Sequence, residues 1–125
     1  MKTKSAKAKA RRLQDKLAAD IREAFGLSEN DVKPAIMSES GVDIKLSEAA
    51  RIAFPFAVEA KAQESLPLWA SIAQAQENAS NEALKPLLAF KRNGSEIYVV
   101  LRWEDFMTMM KVAAGHVFGA RLEYE

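Results

Sequence analysis

Cysteine is absent from the chain and histidine occurs once, at His116. The first absence removes disulfides, thiolate metal sites and cysteine nucleophiles. The second removes any histidine-rich zinc site within one chain. A metal bound here must be held mainly by oxygen, which favours Mg²⁺, with Mn²⁺ as its substitute. No apolar run approaches the roughly 20 residues that cross a bilayer. The basic start also lacks the apolar stretch that follows it in a signal peptide. These absences lead to the expectation of a cytoplasmic protein with no membrane attachment. Walker loops, glycine-rich dinucleotide turns and internal repeats are missing too.

The 125 residues present are enough for one domain with a real core, and 49% hydrophobic with 28% charged is ordinary globular usage. The formal net charge is only +1, but the charges are unevenly placed. Lys2, Lys4, Lys7, Lys9, Arg11 and Arg12 all precede the first acid, Asp15. Such an arm, roughly residues 1–12, can neutralise phosphates and release counterions, with Lys7, Lys9, Arg11 and Arg12 as candidate nucleic-acid contacts. The plainer reading is a solvated terminus that aids solubility.

Leu13, Leu17, Ile21, Ala24 and Phe25 recur at helical steps and predict a helix over about 6–25, ended by Gly26 as C-cap. At about 100° per residue, Gln14 falls in the middle of that apolar stripe and Glu23 on the opposite side. A buried glutamine is either a structural polar contact or a group aimed at an internal polar site. A first strand is expected around Ala35-Ile36-Met37, and a second over Val42-Asp43-Ile44-Lys45-Leu46. Ser47 looks like the N-cap of a short helical turn. Phe56-Ala57-Val58-Glu59-Ala60-Lys61 alternates with period two, so Glu59 and Lys61 share a face. A helix over about 66–79 follows, with Trp69 expected in the core and Gln74 off the apolar face. Asn78 to Lys85 reads as a polar turn, and Pro86 to Lys91 as a buried strand. Asn93-Gly94 signals a hairpin, with Ile97 to Leu101 as the partner strand. A last helix opens at Trp103, offering Phe106, Met107, Met110 and Val112 for packing. Gly115 and Gly119 loosen the tail, and His116 reads as a partly exposed helix-end residue rather than a base.

Two carboxylates and a lysine from neighbouring strands suit hydrolysis of a phosphodiester. The carboxylates hold a hard cation, and the lysine meets the charge developing on phosphate. Asp43 and Glu59 are the candidate ligands, with the Ala60 backbone carbonyl completing the shell. The competing reading is an ordinary surface ion pair between Glu59 and Lys61.

Gly41-Val42-Asp43 followed by Val58-Glu59-Ala60-Lys61 and an apolar strand resembles the PD-(D/E)xK nuclease superfamily, in particular its small phage and archaeal Holliday-junction-resolvase-like branch. Arg11-Arg12-Leu13-Gln14, Phe54-Pro55-Phe56, Gln74-Ala75, Pro86 to Lys91 and Tyr98 to Leu101 extend the likeness over most of the chain. The resemblance implies an α/β fold with a restriction-endonuclease-like core, a central mixed five-stranded sheet flanked by helices in the order αβββαββα. It implies a Mg²⁺-dependent DNA endonuclease acting on Holliday junctions or other branched DNA, working as a two-fold dimer. Asp43, Glu59 and Lys61 match the motif residues, and Gln74 matches a downstream glutamine near the site. Gln14 stands where many relatives carry a metal-binding glutamate, a change that favours one metal over two. Val42 stands where the superfamily's proline precedes the aspartate. A non-catalytic DNA-binding module on the same fold is the alternative, and it has no need of Asp43, Glu59 and Lys61 together.

Overall fold

The computed structural model describes residues 4–36 and 40–123, with side chains as far as residue 115. Among these the order is α1 (Lys4–Phe25), β1 (Val32–Pro34), β2 (Ile44–Leu46), α2 (Glu48–Ala53), β3 (Phe56–Ala62), α3 (Leu68–Glu82), β4 (Lys85–Lys91), β5 (Tyr98–Val100) and α4 (Trp103–Glu123). The chain is thus α/β, and no described helix is long and apolar enough to cross a membrane.

Helix α1 forms where the apolar stripe predicts it and buries Leu13, Gln14, Ala18 and Ile21. Gly26 takes a φ of +63°. The Leu27 N–H then reaches back to the Arg22 carbonyl at 2.9 Å, closing the helix as a left-handed cap does. Ala18 and Ile21 pack on Val32, Ile44, Ala50, Val58 and Ala89, so the core lies between α1 and the strands. Val32 and Ile44 in this core, and Leu88 beside α3, are the largest fully buried side chains among the described residues, each worth about 1.5–3 kcal/mol. Arg22 ties the end of α1 to β1 through the Val32 carbonyl at 2.8 Å.

The sheet is mixed, as expected, but it is not one five-stranded sheet. β3 pairs in parallel with β4, which pairs antiparallel with β5, while β1 and β2 form a separate antiparallel pair. The two sheets meet at Asp43, whose N–H donates to the Val58 carbonyl at 3.0 Å. Its carboxylate occupies the next acceptor position, towards Ala60 N–H at 2.7 Å. A side chain that stands in for a backbone acceptor ends the ladder there. The second strand begins at Ile44, the partner of Pro34 at the end of β1, rather than at Val42. The first lies at Val32–Pro34, earlier than Ala35-Ile36-Met37, because the buried Val32 anchors it under α1. Met37 lies outside the described residues.

The short turn after Ser47 is helix α2, and the Ser47 hydroxyl caps it by accepting from Ala50 N–H at 3.1 Å. It stands between the second and third strands, so the expected order is amended to αββαβαββα. The parallel β3–β4 pair requires a crossover, which α3 supplies. Its buried face is Ser71, Ala75 and Ala79, small residues that let the helix approach the sheet closely. That choice of face leaves Trp69 79% exposed, contrary to its expected place in the core. Helix α3 also runs on to Glu82, so Asn78 is helical rather than part of a turn. Phe106, Met110 and Val112 of α4 are exposed rather than packed. Helix α4 continues through Gly115 and Gly119 to Glu123, and the His116 side chain lies outside those described.

Ala83 closes α3 with φ +54°, a left-handed conformation, and Leu84 N–H bonds back to the Ala79 carbonyl at 3.0 Å. A Cβ is disfavoured there. Ala83→Gly is expected to stabilise the protein by about 0.5–1 kcal/mol, measured as a shift in the urea midpoint at unchanged slope.

Candidate functional site

Asp43 is held from three sides. Its carbonyl accepts from Ala35 N–H at 2.8 Å, its own N–H donates to Val58, and Oδ2 accepts from Ala60 N–H. Gly41, at φ +97°, makes the turn that brings the chain to this point. Within a strand the N–H and C=O of one residue point the same way. The Ala60 carbonyl therefore emerges on the edge of β3 where Asp43 sits.

Glu59 and Lys61 share the other face of β3, and Lys61 Nζ lies 3.6 Å from Glu59 Oε2. The pair is not an ordinary surface contact, because Glu59 is only 3% exposed. Asn78 Nδ2, from α3, donates to Glu59 Oε1 at 3.3 Å and to the Gly41 carbonyl at 3.2 Å. One amide thus binds the helix to both the acid strand and the loop that delivers Asp43. Burial and the neighbouring Asp43 carboxylate push the Glu59 carboxyl up to about 7, against the opposing pull of Lys61 and Asn78.

A cavity of about 350 Å³ opens onto this cluster. Gln14, Asp43, Glu59, Ala60, Lys61 and Gln74, all singled out in the sequence, line it together. Gln14 comes from α1 and is 6% exposed, so the buried-face glutamine borders a polar cavity. Glu77 and Asn78 also line it and are absent from the sequence reading. Carrying the helical period one turn past Gln74 finds them, since residues three and four apart share a helix face. The cations of the basic arm divide. Arg11 borders a hollow with Gln14, Asp15 and Ile36. Lys9 and Arg12 line a different cleft, against the end of β4. Lys7 is exposed on α1 and lines neither.

The donors lining the cavity are mainly hard oxygens: the Asp43, Glu59 and Glu77 carboxylates, the Ala60 carbonyl and the amides of Gln14, Gln74 and Asn78. Among the described residues no group of three histidine, cysteine, aspartate or glutamate side chains converges as a metal cluster. The set suits a cation that accepts one or two carboxylates and keeps several waters, as Mg²⁺ does. A divalent cation held by the two acids would relieve the repulsion that adds to burial in raising the Glu59 carboxyl. Comparison with protein-family models, curated proteins and solved structures finds no match to this chain.

Proposed function

We propose that the chain is a metal-dependent endonuclease that hydrolyses phosphodiester bonds in DNA, with branched DNA such as a four-way junction as its substrate. One observation carries the reading: two mutually repelling carboxylates, one of them buried, share a cavity with a lysine. Acids whose ionisation is shifted by burial and a like charge inside a cavity are concentrated at functional sites. The likeness to PD-(D/E)xK nucleases in the order of Asp43, Glu59 and Lys61 supports the same reading.

A bound Mg²⁺ supplies an activated water and neutralises charge on the phosphate. Asp43 and Glu59 would hold it, with the Ala60 carbonyl as a further oxygen donor. Two carboxylates and a glutamine at position 14 suit one cation rather than two. Lys61 Nζ offers its protons to a phosphate oxygen, stabilising the charge that grows there in the transition state. The Gln74 and Gln14 amides orient water and substrate at the cavity wall. Asn78 holds Glu59 and the Gly41 carbonyl in register, so both acids keep their spacing when the site is charged. The proposal includes a two-fold dimer, which would present two such cavities to a symmetric junction. Tyr98, Val99, Trp103, Phe106 and Met110 on β5 and α4 leave apolar surface exposed that a second copy would bury.

The test is cleavage of four-way junction, flap, linear duplex and single-stranded DNA with Mg²⁺, Mn²⁺ or EDTA. Cleavage with either cation and none with EDTA is the expected result. Metal-independent cleavage would sink the site assignment. Tight binding of DNA with no cleavage of any substrate would instead establish a binding module.

A further inference from the structure

We propose that the cleft between α1 and the β4–β5 turn is a track for a nucleic-acid phosphate backbone, continuing the substrate path beyond the carboxylate cavity. The inference rests on the nuclease reading for the identity of the substrate and deepens it. The cleft, about 410 Å³, is the larger of the two cavities. Lys9, Arg12 and Lys16 line one wall. Their spacing of three and then four residues sets them in one stripe along α1. Lys91 and Arg92 line the facing wall, and Glu96 is the one acid among the described residues of the lining.

The facing wall is braced independently of any ligand. Ser95 N–H closes the turn on the Arg92 carbonyl at 3.1 Å, and Arg92 N–H donates to Ser95 Oγ at 3.0 Å. Asn93 N–H donates to the Glu64 carboxylate at 2.6 Å, tying the turn to the segment after β3. Lys91 ends β4 and Arg92 opens this braced turn, and both line the cleft. Lys16 does pair with Asp20 at 2.8 Å, but both side chains are about half exposed or more. Such a pair is worth little and yields readily to a polyanion.

Position links this cleft to the acid cavity. Leu13 and Ala62 line the cleft, while their chain neighbours Gln14 and Lys61 line the cavity. The two sites thus adjoin along α1 and at the end of β3, where Lys61 and Ala62 point to opposite faces. A strand held at the acids therefore reaches the cleft by passing the end of β3. Five cations on two facing walls suit contacts to phosphates, which fix position on the nucleic acid independently of sequence.

The test measures binding of a labelled linear duplex and a labelled four-way junction in EDTA, over a series of NaCl concentrations. Each lost phosphate contact should flatten the plot of log affinity against log salt by about 0.9. Lys91→Gln/Arg92→Gln is expected to flatten it by about two and to weaken binding about tenfold at low salt. Lys9→Gln/Arg12→Gln should do the same, Glu96→Gln should tighten binding, and Lys33→Gln, on β1 and outside the lining of the cleft, should change nothing. Thermal melts establish that each variant folds; should a double variant melt early, Arg92→Gln alone carries the test with a change of about one. An unchanged slope for the Lys91 and Arg92 variant overturns the proposal, including the case in which only the Lys9 and Arg12 variant loses affinity. Cleavage assays separate this from the nuclease reading. Active protein with an unchanged slope removes the cleft alone, and a flattened slope without any cleavage removes the nuclease alone.

Discussion

Asp43→Asn is expected to abolish metal-dependent cleavage, lowering the rate by at least about a thousandfold, while the protein stays folded. The two effects separate because Asp43 does two things. Its carboxylate supplies negative charge to the cavity, and its Oδ2 accepts the Ala60 N–H at 2.7 Å. Asparagine keeps an acceptor oxygen for that N–H and loses only the charge. Asp43→Ala loses both, leaving a backbone donor unpaired at a cost of about 1–3 kcal/mol. Activity assays matched with thermal melts should therefore show Asn and Ala equally inactive but unequally stable. An Asp43→Asn protein that cleaves normally with Mg²⁺ removes Asp43 from the site.

Glu59→Gln is expected to abolish cleavage too, yet to make the metal-free protein more stable above neutral pH. The folded-state value of Glu59, about 7, lies above the 4.5 of an unperturbed glutamate. Between those two values the native state keeps a proton that the unfolded chain releases. Protonated Glu59 thus contributes its full stability below about 4.5, and the contribution is lost as pH rises through about 7. In EDTA, the melting temperature of the parent should fall over this window relative to that of Glu59→Gln. At pH 8 the variant should lead by about 1–2 kcal/mol once screening by solvent at the cavity mouth is allowed for. Mg²⁺ should reverse the order at pH 8, stabilising the parent and not the variant, because binding requires the ionised carboxylate. Scanning fluorimetry across pH, with and without Mg²⁺, reads all of this without an activity assay. A parent and variant with parallel pH profiles would mean that Glu59 ionises like an exposed glutamate.

The candidate site was legible to an unusual degree, because its key residues announce themselves locally. The alternation from Phe56 to Lys61 places Glu59 and Lys61 on one face of β3, and the stripe of α1 turns Gln14 inward. Both follow from the period of a single element. Asn78 was passed over because the polar run that starts there reads as a turn, although it lies one helical turn past Gln74. The buried Ala79 decides the end of α3 by its contact with the sheet, and propensity does not. Trp69 failed for a related reason. A large apolar residue on a helix suggests a core position, but the tight approach to β3 and β4 selected the small face of Ser71, Ala75 and Ala79.

What the sequence by itself determined was local. Absence of cysteine and scarcity of histidine confined any metal site to oxygen ligands. Gly26, Ser47 and Asn93-Gly94 set a helix end, a helix start and a hairpin, because backbone sterics and capping act within a few residues. Tertiary structure alone decided how those pieces meet. It interrupted the expected five-stranded sheet at Asp43, where a side chain replaces a ladder acceptor. It raised Glu59 through burial and through a carboxylate 16 positions away in the chain. It also set Lys91 and Arg92 across from Lys9, Arg12 and Lys16. Charge repulsion, desolvation and strand pairing depend on distances in space, and residues remote in sequence acquire those distances only when the chain is folded.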